Sequence, residues 1–168
     1  NIETALTGLL SQQLFILRIL LRRKQKPELK VLLSIGGWGS GRFSEMAAND
    51  EYRRAFAADC DRVVKEFALD GIDIDWEYPT SSMANISSSP DDTENFTLLM
   101  QDIRAAIGNE KELTLATVAS ARYIDFKAIL PSVDFVNIMA YDMASAPKHH
   151  SALYPSGHSG DITSDGAV

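Results

Sequence analysis

Cysteine is almost absent from this sequence, because Cys60 is the only one in 168 residues. A single cysteine can form no disulfide bond within the chain and no cysteine-based zinc site. It lies in a helical pattern, where a small buried apolar side chain is the expected role. Folds that depend on disulfides or on cysteine-bound zinc are therefore excluded.

Positive charge is also scarce. The sequence has 16 Lys and Arg against 23 Asp and Glu, which gives a net charge of -7. Proteins that bind nucleic acids or anionic membrane surfaces usually present clustered basic residues. We therefore expect neither a nucleic acid nor a membrane as a partner, and a neutral ligand fits the charge well.

The sequence has no long apolar run. Its most apolar segment, residues 14–21, contains Arg18 and is too short to cross a bilayer. No basic region precedes it, so no signal peptide is visible. We expect a buried helix that ends near Arg22, Arg23 and Lys24, with Pro27 just beyond.

The sequence does contain four segments rich in Val, Ile and Leu, separated by helical patterns. The predicted strands are residues 30–35, 71–76, 113–118 and 134–140. The predicted helices are residues 49–68, 91–107 and 124–130, with Asn49 or Asp50 and Asp91 or Asp92 as caps and Gly108 as a terminator. The apolar side of the first helix consists of Tyr52, Phe56, Cys60, Val63, Val64 and Phe67. This alternation predicts an α/β fold with a parallel sheet, whose active site lies at the carboxyl ends of the strands.

The second predicted strand carries an acid at every second position. Asp73, Asp75 and Glu77 share one face of this strand, and the apolar residues between them, including Trp76, share the other. Acids stacked on one face repel one another, which raises the pKa of at least one of them. The pattern therefore predicts an acid–base site near neutral pH, with Asp70 as a structural residue at the start of the strand.

Several motifs resemble those of glycoside hydrolase family 18, the chitinase family. They are Ser-Ile-Gly-Gly-Trp at 34–38, the Asp-x-x-Asp-x-Asp-x-Glu pattern at 70–77 with Tyr-Pro after it, Met-Ala-Tyr-Asp at 139–142, and His-Ser-Ala-Leu-Tyr at 150–154. The acidic motif and the Gly-Gly-Trp motif occur in the family's order and at the ends of strands. The resemblance runs from about residue 29 to residue 155.

The resemblance implies a parallel (β/α)₈ barrel of the TIM type, which needs about 250 residues. The four predicted strands correspond to the third through sixth strands of the family. We therefore expect the central portion of a barrel, about four β/α units. Residues 29–155 would form the family-like core, residues 1–28 a poorly matching helical segment and residues 156–168 a truncated loop. Unpaired strand edges in such a half-barrel favour self-association, and the segment alone is expected to be inactive.

The resemblance also implies roles for the acidic residues. Glu77 corresponds to the general acid, and Asp75 to the carboxylate that orients the substrate's acetamide, whose oxygen is the nucleophile in this family. Asp73 would lie below Asp75, where it would share or relay a proton and raise the pKa of Glu77. Tyr141 would hold the acetamide oxygen by a hydrogen bond.

Four further residues are implied as sugar contacts. Trp38 would stack on a pyranose ring, and Met139, Asp142 and Tyr78 would line the sugar site. For two of these residues a purely structural role stays open. Trp38 could pack between strand and helix, and Tyr141 could be a half-buried tyrosine at a strand end. The adjacent His149 and His150 are interpreted as loop residues.

The function implied by the resemblance is hydrolysis of β-1,4-linked N-acetylglucosamine polymers, with chitin or its oligosaccharides as substrate and no cofactor or metal. The family also implies a secreted or periplasmic protein. An endo-β-N-acetylglucosaminidase acting on glycans is one alternative. A non-catalytic chitin-binding lectin is another, disfavoured by the presence of Glu77. Metal-dependent phosphate chemistry is the least favoured, because no phosphate-binding glycine loop accompanies the acids.

Overall fold

The computed structural model describes residues 16–167, in which four strands form one parallel sheet in the order β1-β2-β3-β4. The strands are β1 (Leu32–Gly36), β2 (Gly71–Asp75), β3 (Glu112–Val118) and β4 (Phe135–Met139). Each strand is parallel to its neighbour. The predicted strands and their parallel arrangement are therefore confirmed, with ends that differ by one or two residues.

Helices connect the strands. They are α1 (residues 16–25), α2 (Phe43–Ala48), α3 (Asp50–Glu66), α4 (Asp92–Ile107) and α5 (Phe126–Ile129), which leads into a 3₁₀ turn at Leu130–Ser132. A second 3₁₀ turn covers Asp165–Ala167. The prediction missed α2, because this six-residue helix begins after Arg42 in the left-handed conformation and shows no long periodic pattern.

The predicted residues at the helix ends are confirmed at the start of α3 and at the end of α4, but not at the start of α4. The side chain of Asn49 accepts a hydrogen bond from the backbone N–H of Tyr52 at 3.0 Å and caps α3. Gly108 ends α4 with a φ of 77°, which glycine adopts without strain. Asp91 precedes α4, but its side chain makes no capping hydrogen bond.

The core lies between the sheet and helices α2, α3 and α4. Ile72 and Ile74 of β2 are fully buried, and Trp76 is 2% exposed. The ring of Trp76 stacks on Phe43 at 5.4 Å and meets Phe96 edge-on at 5.5 Å. The predicted division of the acidic strand into an apolar face toward the helices and an acidic face opposite is therefore confirmed.

Two predictions of burial are wrong. In α1, Leu17, Leu20 and Leu21 are 50–53% exposed, and Ile19 is the buried member. Tyr52, predicted on the apolar side of α3, is 57% exposed. Apolar residue type identifies a face that can be buried, but not whether a neighbouring element covers it. Residues 14 and 15 of the predicted N-terminal helix lie outside the described residues, as does most of the 1–28 segment.

Acids at the start of two strands join neighbouring elements. Asp70, before β2, accepts a hydrogen bond from Val31 N–H at 2.6 Å and pairs with Arg23. Asp134, before β4, accepts from Leu113 N–H at 2.7 Å and from Arg104 Nη2 at 2.5 Å. The predicted structural role of Asp70 is confirmed. We call this end of the sheet the amino-terminal edge.

Among residues 16–167, β1 and β4 each have a strand neighbour on one side only. Four strands are half of what an eight-stranded barrel contains. That such edges promote self-association stays a prediction.

Candidate active site

The site lies at the carboxyl ends of the strands, which we call the carboxyl-terminal edge. Strand β2 ends at Asp75, and Glu77 follows two residues later on the same side of the chain. The end of β1 approaches it closely, because Gly37 N–H donates to the carbonyl of Asp75 at 2.7 Å. A Cβ atom on Gly36 would lie 2.0 Å from that carbonyl oxygen, and Gly36 has a φ of 131°. Only glycine fits at this position, because of this close approach and the positive φ.

Asp73 is held in the middle of the sheet by its neighbours on all the other strands. Its carboxylate accepts hydrogen bonds from Ser34 Oγ at 2.7 Å, Thr114 Oγ1 at 2.5 Å and Asn137 Nδ2 at 3.0 Å. Ser34, Asp73 and Thr114 are also register partners across β1, β2 and β3. Three donors from three strands fix the orientation of this side chain.

Asp75 has the opposite surroundings. Its Oδ1 is buried and accepts no hydrogen bond from any residue between 16 and 167. Burial, followed by the negative charges of Glu77 and Asp73, raises the pKa of Asp75 to about 6. Crowding by Glu77 and Asp73 contributes to this raised pKa, as predicted, but burial is the larger cause. A buried acceptor without a donor is able to bind an N–H group of a ligand.

A cleft of about 690 Å³ opens beside these acids. Six of the predicted site residues line it: Trp38, Glu77, Tyr78, Met139, Tyr141 and Asp142. Asp73 and Asp75 lie further back along β2. The structure therefore brings together residues that are up to about a hundred positions apart in the sequence.

Aromatic rings form a continuous row along the cleft. Trp38 meets Tyr78 edge-on at 6.3 Å, and Tyr78 stacks on Tyr123 at 4.9 Å. The guanidinium of Arg122 lies 4.8 Å from the centroid of the Tyr123 ring, and Arg122 Nη2 donates to Tyr123 Oη at 2.6 Å. Trp38 is 60% exposed, so the alternative that it packs between strand and helix is wrong. Its ring is available to a ligand.

The tyrosine hydroxyls remain protonated at neutral pH. Burial and the charges of Asp75, Glu77 and Asp142 raise the pKa of Tyr141 above its ordinary value. Burial and a hydrogen bond with Glu77 raise the pKa of Tyr78 well beyond its usual range. Tyr141 is 52% exposed, so its hydroxyl can donate a hydrogen bond to a molecule in the cleft.

The histidines occupy the loop that follows β4, as predicted. His150 Nε2 lies 3.4 Å from Asp142 Oδ1 at the rim of the cleft, and His149 stacks on His158 at 5.9 Å. Among the described residues, no group of three or more His, Cys, Asp or Glu side chains has the geometry of a metal site. Within the same part of the chain, no helix is long and apolar enough to cross a membrane.

Sequence reasoning missed several residues of the site. Ser34, Thr114 and Asn137 bind Asp73, and Met83, Val118 and Arg122 line the cleft. A polar residue in the middle of an apolar strand was the available signal for the first three. Met83 and Arg122 lie in loops, where no periodicity marks them.

A parallel sheet with acids and an aromatic cleft at the carboxyl ends of its strands is the architecture of a barrel-type glycoside hydrolase domain. The chain belongs to glycosyl hydrolases family 18, because the model of that family matches residues 12–168. The predicted family and fold class are therefore confirmed.

Similar proteins carry related names. The chain is 38% identical over 142 residues to Chitinase A1 of Niallia circulans, in an alignment that covers 77% of this chain and 20% of that protein. The chitinase domain of the spore coat protein CotE from Clostridium difficile superposes with a TM-score of 0.86 and 39% identity, covering 91% of this chain and 48% of that one. A family 18 N-acetylglucosaminidase from Paenibacillus barengoltzii gives a TM-score of 0.81 and 39% identity, covering 86% and 47%. The chain spans about half the length of these two solved structures.

Proposed function

We propose that this chain provides the acid–base site of an enzyme that hydrolyses β-1,4-linked N-acetylglucosamine polymers such as chitin. The observation that carries the proposal is the buried, unpartnered Oδ1 of Asp75 next to Glu77 and behind a cleft that Tyr141 lines. A neutral sugar with an acetamide group supplies what this arrangement lacks, an N–H donor for Asp75 and an acceptor for Tyr141. The names of the relatives support the same substrate class.

In the first chemical step, the carboxyl group of Glu77 donates its proton to the glycosidic oxygen as the bond from that oxygen to C1 breaks. The oxygen of the neighbouring acetamide forms a bond to C1 and gives a cyclic oxazolinium ion. Catalysis in this family is substrate-assisted, so no enzyme carboxylate attacks the sugar. In the second step, water transfers a proton to the Glu77 carboxylate and forms a bond to C1. The bond from C1 to the acetamide oxygen breaks, which opens the oxazolinium ring with net retention of configuration at C1.

Asp75 and Tyr141 hold the acetamide for this attack. At pH 7 a carboxyl group with a pKa of about 6 is mostly ionised, so Asp75 accepts the acetamide N–H and offsets the positive charge of the oxazolinium. The Tyr141 hydroxyl donates to the acetamide oxygen and keeps it near C1. Asp73, fixed by three donors, places a negative charge near Asp75 and contributes to its raised pKa.

Sugar rings are proposed to bind along the aromatic row. The exposed face of Trp38 offers a large apolar contact for a pyranose ring, and Tyr78, Met139 and Asp142 complete the walls of the cleft. The polymer lies outside cells, so we also propose that the protein is secreted or periplasmic.

The test replaces the proton donor in the full-length gene product. Glu77→Gln is expected to lower kcat on chitotetraose by roughly 10²–10⁴-fold while leaving the dissociation constant within about threefold, because the amide cannot donate the proton. Glu51→Gln, on the exposed first turn of α3, is the matched control and should keep wild-type kcat.

Product analysis separates the alternatives. Release of N-acetylglucosamine oligomers with retained configuration supports the proposal. Cleavage of glycoprotein glycans but not of chitotetraose would favour an endo-β-N-acetylglucosaminidase. Binding without turnover in the wild type would favour a lectin, and loss of activity with a chelator would favour metal chemistry. Wild-type turnover by Glu77→Gln would refute the role given to Glu77.

A further inference from the structure

One fully buried acid lies outside the cleft and outside the proposed chemistry. Asp92, in the first turn of α4, is 0% exposed, and the other buried polar residues among those described include no second carboxylate. Its Oδ1 accepts a hydrogen bond from Ser44 Oγ at 2.7 Å. Its Oδ2 accepts from the backbone N–H groups of Thr80 at 3.1 Å and Ser89 at 2.7 Å. Such a complete set of donors offsets the cost of burying a carboxylate.

These partners mark the two ends of one loop. Residues 80–89, which we call the 80–89 loop, lie within the connection between the acidic strand β2 and α4. The carboxylate of Asp92 thus ties the first and the last residue of this loop to the same point. Ala84 and Ile86 are 7% and 8% exposed, so the middle of the loop is also anchored in the core.

The 80–89 loop forms part of the cleft wall. Met83 lines the cleft, and its Sδ accepts a hydrogen bond from Tyr123 Oη at 3.9 Å. Tyr123 in turn stacks on Tyr78, which directly follows Glu77. The loop also begins two residues after Tyr78, and Ser81 N–H donates to the Tyr78 carbonyl at 3.1 Å. A shift of the loop would therefore move both Met83 and the Tyr78 backbone.

We propose that Asp92 is a positioning residue for the sugar-binding cleft, which fixes both ends of the 80–89 loop and thereby the wall formed by Met83, Tyr78 and Tyr123. That the cleft binds a sugar rests on the proposed function, whereas the position of the loop relative to Asp92 does not. The hydrogen bonds, rather than the negative charge, are the essential property of the side chain.

The experiment compares three variants of the full-length gene product. Asp92→Ala removes all three hydrogen bonds. Asp92→Asn preserves them, because its carbonyl oxygen can accept both backbone N–H groups and its amide can donate to Ser44 Oγ. Asp102→Ala is the matched control, since Asp102 lies on the same helix but accepts a hydrogen bond from Arg53 Nε at 3.0 Å, and no hydrogen bond joins its side chain to residues 80–89.

Two readouts are needed, amide hydrogen exchange across residues 80–89 and steady-state kinetics on chitotetraose. Asp92→Ala should exchange at Thr80 and Ser89 at least about tenfold faster and raise KM about tenfold, with kcat changed less than about threefold. Asp92→Asn should resemble the wild type in both readouts. Asp102→Ala should lower the melting temperature without changing loop exchange or KM.

An Asp92→Ala protein with the exchange and KM of Asp102→Ala would overturn the proposal, because Asp92 would then act only on global stability. If Asp92→Ala fails to fold, Ser44→Ala removes one of the three bonds and should still raise loop exchange and KM, by a smaller factor; unchanged values would overturn the proposal. A wild type without turnover would refute the proposed function, and the exchange data alone would then decide the role of Asp92.

Discussion

The two edges of the sheet use the same residue type in opposite ways. At the amino-terminal edge, Asp70 and Asp134 each bind an arginine and a backbone N–H of the neighbouring strand segment. At the carboxyl-terminal edge, Asp75 has a buried oxygen without a donor among residues 16–167, and the nearby charged groups are the acids Glu77 and Asp73. Among residues 16–167, no salt bridge joins Asp73, Asp75 or Glu77 to a basic residue.

The difference indicates where the fold is stabilised and where it is prepared for a ligand. An acid that meets a guanidinium and an N–H has its interactions completed within the protein, and its removal leaves those donors unpaired. An acid that lacks partners within the protein weakens the fold slightly and gains when a ligand supplies the donor. Substituting one acid at each edge, and comparing the effects on activity and on stability, is therefore the most direct test of this interpretation.

The largest effect is expected from Asp75→Asn. The amide cannot balance the charge of the oxazolinium ion, so kcat on chitotetraose should fall roughly 10²–10³-fold. The melting temperature at pH 7.5 should stay the same or rise, because a negative charge is removed from beside Glu77 and Asp73. Calorimetry and single-turnover kinetics on the same preparation provide both values. Intact kcat combined with a clear loss of stability would place Asp75 with the amino-terminal acids and contradict the comparison.

The opposite substitution is Asp70→Ala. It leaves the N–H of Val31 and the guanidinium of Arg23 without their acceptor, so the free energy of unfolding should fall by about 1–2 kcal/mol. Because Asp70 lies at the far end of β2, kcat and KM of the folded protein should stay within about twofold. Urea unfolding followed by tryptophan fluorescence measures the change. Reduced kcat with unchanged stability would show that the two edges are not separate.

The strands and the acidic face were predictable because their signals are local. Alternation with a period of two puts Asp73, Asp75 and Glu77 on one side of the strand, and the buried Trp76 on the other confirms it. The hydrogen-bond donors of Asp73 were not predictable in this way. Ser34, Thr114 and Asn137 reach it through the register between strands, which residue spacing within each strand does not determine.

The loops and the outer surface were the least predictable parts. Met83 and Arg122 enter the cleft from segments without periodicity, and Asp92 was considered only as a helix cap although its side chain binds both ends of a loop. The leucines of α1 were expected to be buried, since their sequence is apolar. Their exposure depends on which element packs against them, and this is a property of the tertiary structure.

The smallest effect is a difference in pH dependence between the edges. Burial alone would raise the pKa of Asp134, but the N–H of Leu113 and the Arg104 guanidinium outweigh it and lower the pKa below 3.8. Its contribution to stability is therefore present above pH 3.8 and is lost as the pH falls through the lowered pKa. The pKa of Asp75 is raised from 3.8 to about 6, so its folded form binds the proton more tightly, and its contribution to stability is lost as the pH rises from 3.8 to about 6.

Melting temperatures of the wild type, Asp75→Asn and Asp134→Asn between pH 3 and pH 8 test these opposite signs. Relative to the wild type, Asp75→Asn should gain a few degrees as the pH rises past about 6 and gain nothing near pH 3.5. Asp134→Asn should melt a few degrees lower at pH 7, and the difference should shrink below pH 3.8. Two curves of the same sign would contradict the structure. Either Asp75 would then have a hydrogen-bond donor, or Asp134 would lack one. Two curves of opposite sign would separate the edge whose acids are paired within the protein from the edge where Asp75 lacks a donor among residues 16–167.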